Sequence, residues 1–242
     1  MNKIYLSVVI PVYNEESRIE NCFKEIEEYF VTKDYSYEII FVDDGSQDRT
    51  ADIITERIMN KSNFRLIKNN INYGKGHGVK TGVMVASGEY IMFIDADMST
   101  PINQLEKLLP FALKYNIVIG SRYLHSKCIK VRQPLIRRVV SRLGNIAMRI
   151  VLDLPFADTQ CGFKLFQNIP AKEIFSRQTI ERWGFDMEIL AIAQKKKYSV
   201  KEVAVDWLDD SNSTLRAGHA AMNTLKELIK IKLNLIFNKY NE

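Results

Sequence analysis

Four short polar clusters each follow an apolar run directly: Tyr13-Asn14-Glu15, Asp43-Asp44, Asp95-Ala96-Asp97 and Ser121-Arg122. Asp95 and Asp97 are spaced to put two carboxylates on one side of a strand end, because side chains alternate along a strand. Hard oxygen donors in that arrangement suit Mg2+ or Mn2+ shared with the phosphates of a substrate. Taken alone the triplet also fits a solvated turn. Arg122, just after Gly120-Ser121, has the planar donor fork that grips a diphosphate in bidentate fashion, or serves as an ordinary ion-pair partner. Asn72-Tyr73-Gly74-Lys75-Gly76-His77-Gly78 reads as a phosphate-cradling loop, with a plain flexible turn as the alternative. Neither the Walker pattern nor the dinucleotide fingerprint is present.

The elements that must hold these groups are legible in the first half. Leu6 to Val12 is a buried strand, and Ile19, Cys22, Phe23, Ile26, Tyr29 and Phe30 recur at helical spacing. Glu38 to Val42 is a second strand. Asp48 to Met59 is a helix with Ser46 as its expected cap, and Arg65 to Lys68 is a third strand. Gly74 to Gly82 leads into another helix, Ser87-Gly88 punctuates, Glu89 to Ile94 is a strand, and Ile117 to Ile119 is a further one. Strands alternating with helices predict an α/β fold with a mostly parallel sheet. Ligands of such sheets bind beyond the carboxyl ends of the strands, where all four polar clusters fall.

With 242 residues the chain is expected to be a single domain, 1–242, with two halves of different rhythm, 1–123 and 124–242. Its 46% hydrophobic and 26% charged residues exclude a disordered chain. Cys22, Cys128 and Cys161 are too scattered for a disulfide framework, and with His77, His125 and His219 they give no zinc spacing. No signal peptide and no apolar run of about 18 residues is visible, so membrane contact is expected to be peripheral. The net charge of +5 suits an anionic partner. Without a stacking platform it does not indicate nucleic acid.

Two basic apolar segments carry that charge. In Pro134 to Leu154, Ile136, Val139, Val140, Leu143, Ala147, Ile150 and Leu154 form one stripe and Arg138, Arg142 and Arg149 another, with Lys127, Lys130 and Arg132 just ahead. Such a helix lies in an anionic interface or packs on a core with its arginines solvated. The last helix repeats the theme, with Lys226, Lys230, Lys232 and Lys239 among Leu225, Leu228, Ile229, Leu233, Leu235 and Ile236.

Val8 to Glu15, Val42-Asp43-Asp44-Gly45-Ser46, Gly74-Lys75-Gly76, Asp95-Ala96-Asp97 and Gly120-Ser121-Arg122-Tyr123 occur in an order and spacing that resemble the family 2 glycosyltransferases of the GT-A fold. Asp158 to Phe166 and Arg182 to Glu188 resemble the dolichyl- or polyprenyl-phosphate branch, nearest its glucosyltransferases. The likeness covers about residues 5 to 210. It implies a GT-A (Rossmann-like) domain with C-terminal amphipathic helices that transfers glucose from UDP-glucose to a polyprenyl phosphate with inversion, using Mg2+ or Mn2+. Asp97, Asp158 and Arg122 would be catalytic. Pro11, Tyr13, Glu15, Asp44, Lys75, Asp95, Ala96 and Gln160 would bind substrate, and Asp95 and Asp97 would hold the metal. The expected place is the cytoplasmic face of a membrane, reached through the anionic surface, a membrane-anchoring partner or a homo-oligomer.

Other readings remain open at this point. They are a soluble transferase acting on a sugar or protein hydroxyl, a GDP-mannose-dependent polyprenyl-phosphate enzyme, and a non-catalytic nucleotide-sugar-binding subunit. A processive polysaccharide synthase fits less well, since Thr179 stands where its Gln-x-x-Arg-Trp motif needs Gln.

Overall fold

The computed structural model describes residues 3–124, 145–208 and 217–241. Its first half follows the predicted alternation: β1 (Leu6–Val12), α1 (Ile19–Phe30), β2 (Tyr37–Asp43), α2 (Thr50–Ile58), β3 (Phe64–Lys68), α3 (Lys75–Val85), β4 (Tyr90–Ile94), a 3-10 turn (Ile102–Gln104), α4 (Leu105–Ala112) and β5 (Ile117–Ser121). The second half contains α5 (residues 145–152), β6 (Phe163–Gln167), α6 (Asn168–Arg177), α7 (Phe185–Lys195), β7 (Val200–Ala204) and α8 (Ala217–Ile236).

The seven strands form one sheet in the order β3-β2-β1-β4-β6-β5-β7. All neighbours are parallel except β6, which runs antiparallel to both β4 and β5. The chain steps outward from β1 to β3, then returns to the other side of β1 with β4. That reversal opens a crevice at the carboxyl ends of β1 and β4. Because β6 runs the opposite way, it begins at this same end, with Phe163 opposite Ile94. The loop before β6 is thereby laid beside the end of β4.

Strand alternation sorts the apolar residues onto two faces. Val9, Ile40, Val42, Ile91, Phe93, Ile117 and Ile119 face a layer built from α3, α5, α6, α7 and α8. Val8, Ile10, Ile39, Phe41, Met92, Val118 and Leu165 face α1, α2 and α4. The buried faces of α1 and α4 carry Cys22, Phe23, Ile26 and Leu105, Leu108. Strands covered on both sides read as continuous apolar runs, which is why they were easy to find in the sequence.

Three local expectations need correction. Ser46 does not cap α2: its hydroxyl accepts from the Asn14 N–H (2.9 Å), while Asp48 accepts the Thr50 N–H (3.0 Å) and the helix starts there. The glycines after Gly74 are not a loop, because α3 begins at Lys75. They serve packing instead. A Cβ on Gly82 would sit 2.3 Å from Val9 Cγ1, and one on Gly76 would sit 2.7 Å from Phe185 Cβ. Finally, α5 is rotated from the predicted stripe: Met148 and Leu152 are buried, whereas Ile150 is 75% exposed beside exposed Ile146 and Val151. Of the same stripe Ala147 is exposed and Leu154, just past the helix, is buried; the remainder, with Lys127, Lys130, Arg132, Arg138 and Arg142, lies outside the described residues, as does Cys128. Cys22 and Cys161 are buried free thiols.

Among the described residues no helix is long and apolar enough to cross a membrane. On α8, Leu228, Ile231 and Asn234 turn inward, while Leu225, Ile229, Leu233 and Ile236 are exposed. Exposed Lys226 and Lys230 flank that outward stripe.

Candidate active site

The carboxylate pair is made by a turn rather than by the pleat. β4 ends at Ile94, and the Met98 N–H donates to the Asp95 carbonyl (3.2 Å) with Met98 at φ 51°. The Ser99 N–H donates to Asp97 Oδ1 (2.9 Å), fixing the second carboxylate. Ala96 between them is buried in the core cluster with Ile94 and Met98. Burial first, and then the neighbouring charge of Asp95, push the Asp97 carboxyl above its ordinary range.

Asp95 rests on Gly162. A Cβ at that glycine would lie 2.2 Å from Asp95 Oδ2, so no larger residue fits under the carboxylate without displacing it. Asp95 Oδ1 is buried and takes no directed hydrogen bond; the ammonium of Lys75 sits 2.5 Å from it. Lys75, the first residue of α3, lies 5.3 Å from the Trp183 ring and 6.0 Å from the Phe185 ring. On the β1 side, Glu15 pairs with Arg18 Nε (2.8 Å). Burial lifts the Glu15 carboxyl, Arg18 opposes this, and the charges of Asp97 and Asp95 add to the lift.

This corner fits a hard divalent cation. It offers two adjacent carboxylates over a floor kept clear by glycine, one of them with a buried oxygen that the Lys75 ammonium neutralises. Among the described residues no group of three or more His, Cys, Asp or Glu could enclose an ion. The remaining coordination positions would therefore belong to ligand oxygens or water, as expected where a metal is shared with phosphates.

The other predicted donor-side residues surround it. Asp44 is 3% exposed and fully engaged. It accepts from Asn69 Nδ2 (2.9 Å), the Tyr73 N–H (3.2 Å) and the Gly74 N–H (2.6 Å). It thus holds the loop that presents Lys75, with Gly74 at φ 122°. Pro11 lies against α3, where a Cβ on Gly78 would meet it at 3.3 Å. Tyr13 is 41% exposed at the crevice mouth.

Across the crevice stands a different arrangement. Asp158 is completely buried. Arg122 donates to it three times: Nε to Oδ2 (2.7 Å), Nη2 to Oδ1 (2.9 Å) and its backbone N–H to Oδ2 (3.0 Å). The Gln160 N–H adds a fourth bond (3.2 Å). Burial alone would raise the Asp158 carboxyl, but the Arg122 guanidinium overrides it and holds the group below the usual carboxylate range. Glu202 supports the loop from β7, accepting the Ala157 and Asp158 N–H groups (2.9 and 2.7 Å). Arg122 lies 5.7 Å from the Trp207 ring, and the two line a shallow depression with Asp95, Ser99, Thr100, Gln160 and Gly162.

The structure thus gathers Asp95, Asp97, Lys75 and Glu15 on one side, and Arg122, Asp158 and Gln160 on the other. Reading the residues one by one left Gly162, Trp207, Lys164 and Trp183 without assigned tasks. Lys164 is fully buried and binds the Cys161 carbonyl (2.6 Å) and the Asp186 carboxylate. Two signals pointed there: a lysine inside an apolar strand, and a glycine directly ahead of that strand.

Among known proteins, the dolichyl-phosphate beta-glucosyltransferase of Dictyostelium discoideum is 35% identical over 249 residues, covering 98% of this chain and 76% of that protein. The human dolichyl-phosphate beta-glucosyltransferase is 32% identical, with 96% and 76% covered. Among solved structures, glucosyl-3-phosphoglycerate synthase from Mycobacterium tuberculosis, in complex with Mn2+, UDP and glucosyl-3-phosphoglycerate, superimposes with a TM-score of 0.69 at 20% identity, over 94% of this chain and 80% of that one. Mannosyl-3-phosphoglycerate synthase from Rubrobacter xylanophilus gives 0.74 at 16%, over 97% and 75%. These two likenesses are of fold, the GT-A fold. The description "Glycosyl transferase family 2" fits residues 7–175, more than half of the sequence. With carboxylates and cations arranged on this fold as described, the chain belongs to glycosyl transferase family 2.

Proposed function

We propose that this protein transfers glucose from UDP-glucose to a polyprenyl phosphate of the dolichyl type, with inversion, at an anionic membrane surface. The observation that carries the reading is the state of Asp158. A sugar or protein hydroxyl needs a base to take its proton, and a positioned base contributes roughly 10²–10⁴-fold in rate. Asp158 is buried, ionised and already fully bonded, so it is poorly suited to that task. A lipid phosphate carries its charge before it arrives and requires no such base. The relatives named dolichyl-phosphate beta-glucosyltransferase support the same acceptor and sugar.

In this reading Asp95 and Asp97 hold a divalent cation, Mg2+ or Mn2+, which when bound neutralises charge growing on the departing diphosphate. The Mn2+ and UDP in the structural relative support that choice. Tyr13 and Pro11 border the nucleoside, and Asp44 fixes the turn that presents Lys75 beside the Asp95 carboxylate. Arg122, oriented by Asp158, meets anionic oxygens from the opposite wall, and Gln160 and Trp207 complete the acceptor side. Direct attack across the crevice inverts the anomeric carbon. The lysine-flanked outer stripe of α8 matches an anionic lipid surface, an arrangement typical of helices lying in the interface.

The test is a product assay pairing labelled UDP-glucose or GDP-mannose with dolichyl phosphate and with soluble sugars. Label from UDP-glucose should enter the organic phase as a glycolipid. Transfer from GDP-mannose alone would replace the donor assignment, and transfer to soluble sugars alone would replace the acceptor.

A further inference from the structure

The position of Lys75 is unusual for a residue whose task is only to bind phosphate. Its ammonium is 2.5 Å from Asp95 Oδ1, the same buried oxygen that marks the cation corner. A cation bound by Asp95 and Asp97 and the Lys75 ammonium would compete for that oxygen. The surroundings of Lys75 offer a second place for its charge. Trp183 and Phe185 lie within cation–π distance, and Asp186 follows Phe185 directly at the start of α7. Asp186 is buried and already binds Lys164, whose other bond holds the Cys161 carbonyl next to Gly162, the floor under Asp95. Buried ion pairs such as Lys164–Asp186 contribute little net stability compared with apolar residues of the same size. A site that must accept a displaced positive charge gives this one a use.

We propose that Lys75 is a place-holder for the divalent cation: its ammonium neutralises Asp95 until the donor arrives, then withdraws toward Asp186 as the metal takes the Asp95 oxygen. The idea rests on the proposed metal role of Asp95 and Asp97 and adds the residues that regulate entry. It explains why two adjacent carboxylates can stay partly buried without a metal. It also explains how metal and nucleotide binding become coupled, since each must help move Lys75. The balance is one of charge only; no bond to carbon forms or breaks.

Isothermal titration of Mn2+ into the full nucleotide-free chain tests it. Lys75→Met should bind Mn2+ at least about tenfold more tightly than wild type, because the competing charge is gone. Asp186→Asn should weaken Mn2+ binding several-fold when Lys75 is present and leave it unchanged in the Lys75→Met background. That non-additivity is one a merely structural role for Asp186 would not produce. If Asp186→Asn does not fold by circular dichroism, the Lys75→Met arm still decides. Unchanged or weaker Mn2+ binding by folded Lys75→Met overturns the place-holder role. Absence of Mn2+ binding by wild type even with UDP present overturns the metal reading beneath it, and the two failures are told apart by that nucleotide arm.

Discussion

The two walls of the crevice solve the problem of buried charge in opposite ways. On the β1–β4 wall, Glu15 and Asp97 have their carboxyls pushed upward, with burial the largest cause and neighbouring carboxylates adding to it. On the β5–β6 wall, Asp158 is more deeply buried yet pushed downward, because Arg122 gives it three bonds and a full opposite charge. One wall is short of positive charge and the other is complete. Ligand binding should therefore be strongly cation-dependent at the first wall, whereas the second is pre-organised by the protein alone.

The largest effect should come from breaking the first wall. Asp97→Ala is expected to lower turnover by about 10³-fold or more and to abolish metal-dependent nucleotide binding, measured by product assay and titration calorimetry. The fold should not suffer. A carboxyl raised above its unfolded value is held at a cost whenever the pH keeps it ionised, so removing it should leave the melting temperature at neutral pH equal or higher. Near-normal turnover of the folded variant would remove the asymmetry between the walls.

Breaking the second wall should instead cost stability. Asp158→Asn leaves the Arg122 guanidinium largely buried without its counter-charge, an expected loss of about 3 kcal/mol in chemical denaturation. The sign with pH follows from the depressed carboxyl. The stabilisation is present above the ordinary Asp range, near pH ~4, and is lost only as the pH falls through the lower folded value. The wild-type advantage over Asp158→Asn should thus be constant from neutrality to mild alkali and shrink only in strong acid.

Where the walls touch, Gly162→Ala sharpens the comparison. Its methyl would press on the Asp95 carboxylate, and a forced shift of this kind costs about 1–3 kcal/mol. Metal-dependent nucleotide binding should weaken roughly tenfold, while the Arg122–Asp158 pair persists, readable as an unchanged acid limb in denaturation. The smallest effect lies outside both walls. Replacing Lys226 with Gln should weaken sedimentation with anionic liposomes by about 1 kcal/mol and reduce its salt dependence. Unaltered sedimentation would leave the α8 stripe without its proposed partner.

Much of this arrangement was legible because buried parallel strands announce themselves as apolar runs, and polar residues directly after them mark one edge of the sheet. The positions of Asp95, Asp97 and Arg122 at that edge follow from pattern alone. Three things did not. The turn at residues 95–98 depends on a backbone angle at Met98 that no periodicity reveals. The glycines of α3 read as a loop in one dimension but fall inside the helix, packed against β1 and the segment before α7. The insertion of β6 between β4 and β5 joins residues far apart in sequence, so the contact of Gly162 with Asp95 and the locking of Asp158 by Arg122 could not be read locally. The resemblance motifs named those segments, but only the sheet order explains why they matter together.

The measurement that bears most directly on the account is the pH–rate profile of the wild-type enzyme with UDP-glucose and dolichyl phosphate, with and without added Mn2+. A pre-ionised acceptor and a fully bonded Asp158 predict transfer that depends on the metal and stays nearly flat from neutrality to mild alkali. A rate that climbs steeply through that range, or robust metal-independent transfer to a hydroxyl acceptor with no glycolipid formed, would contradict it.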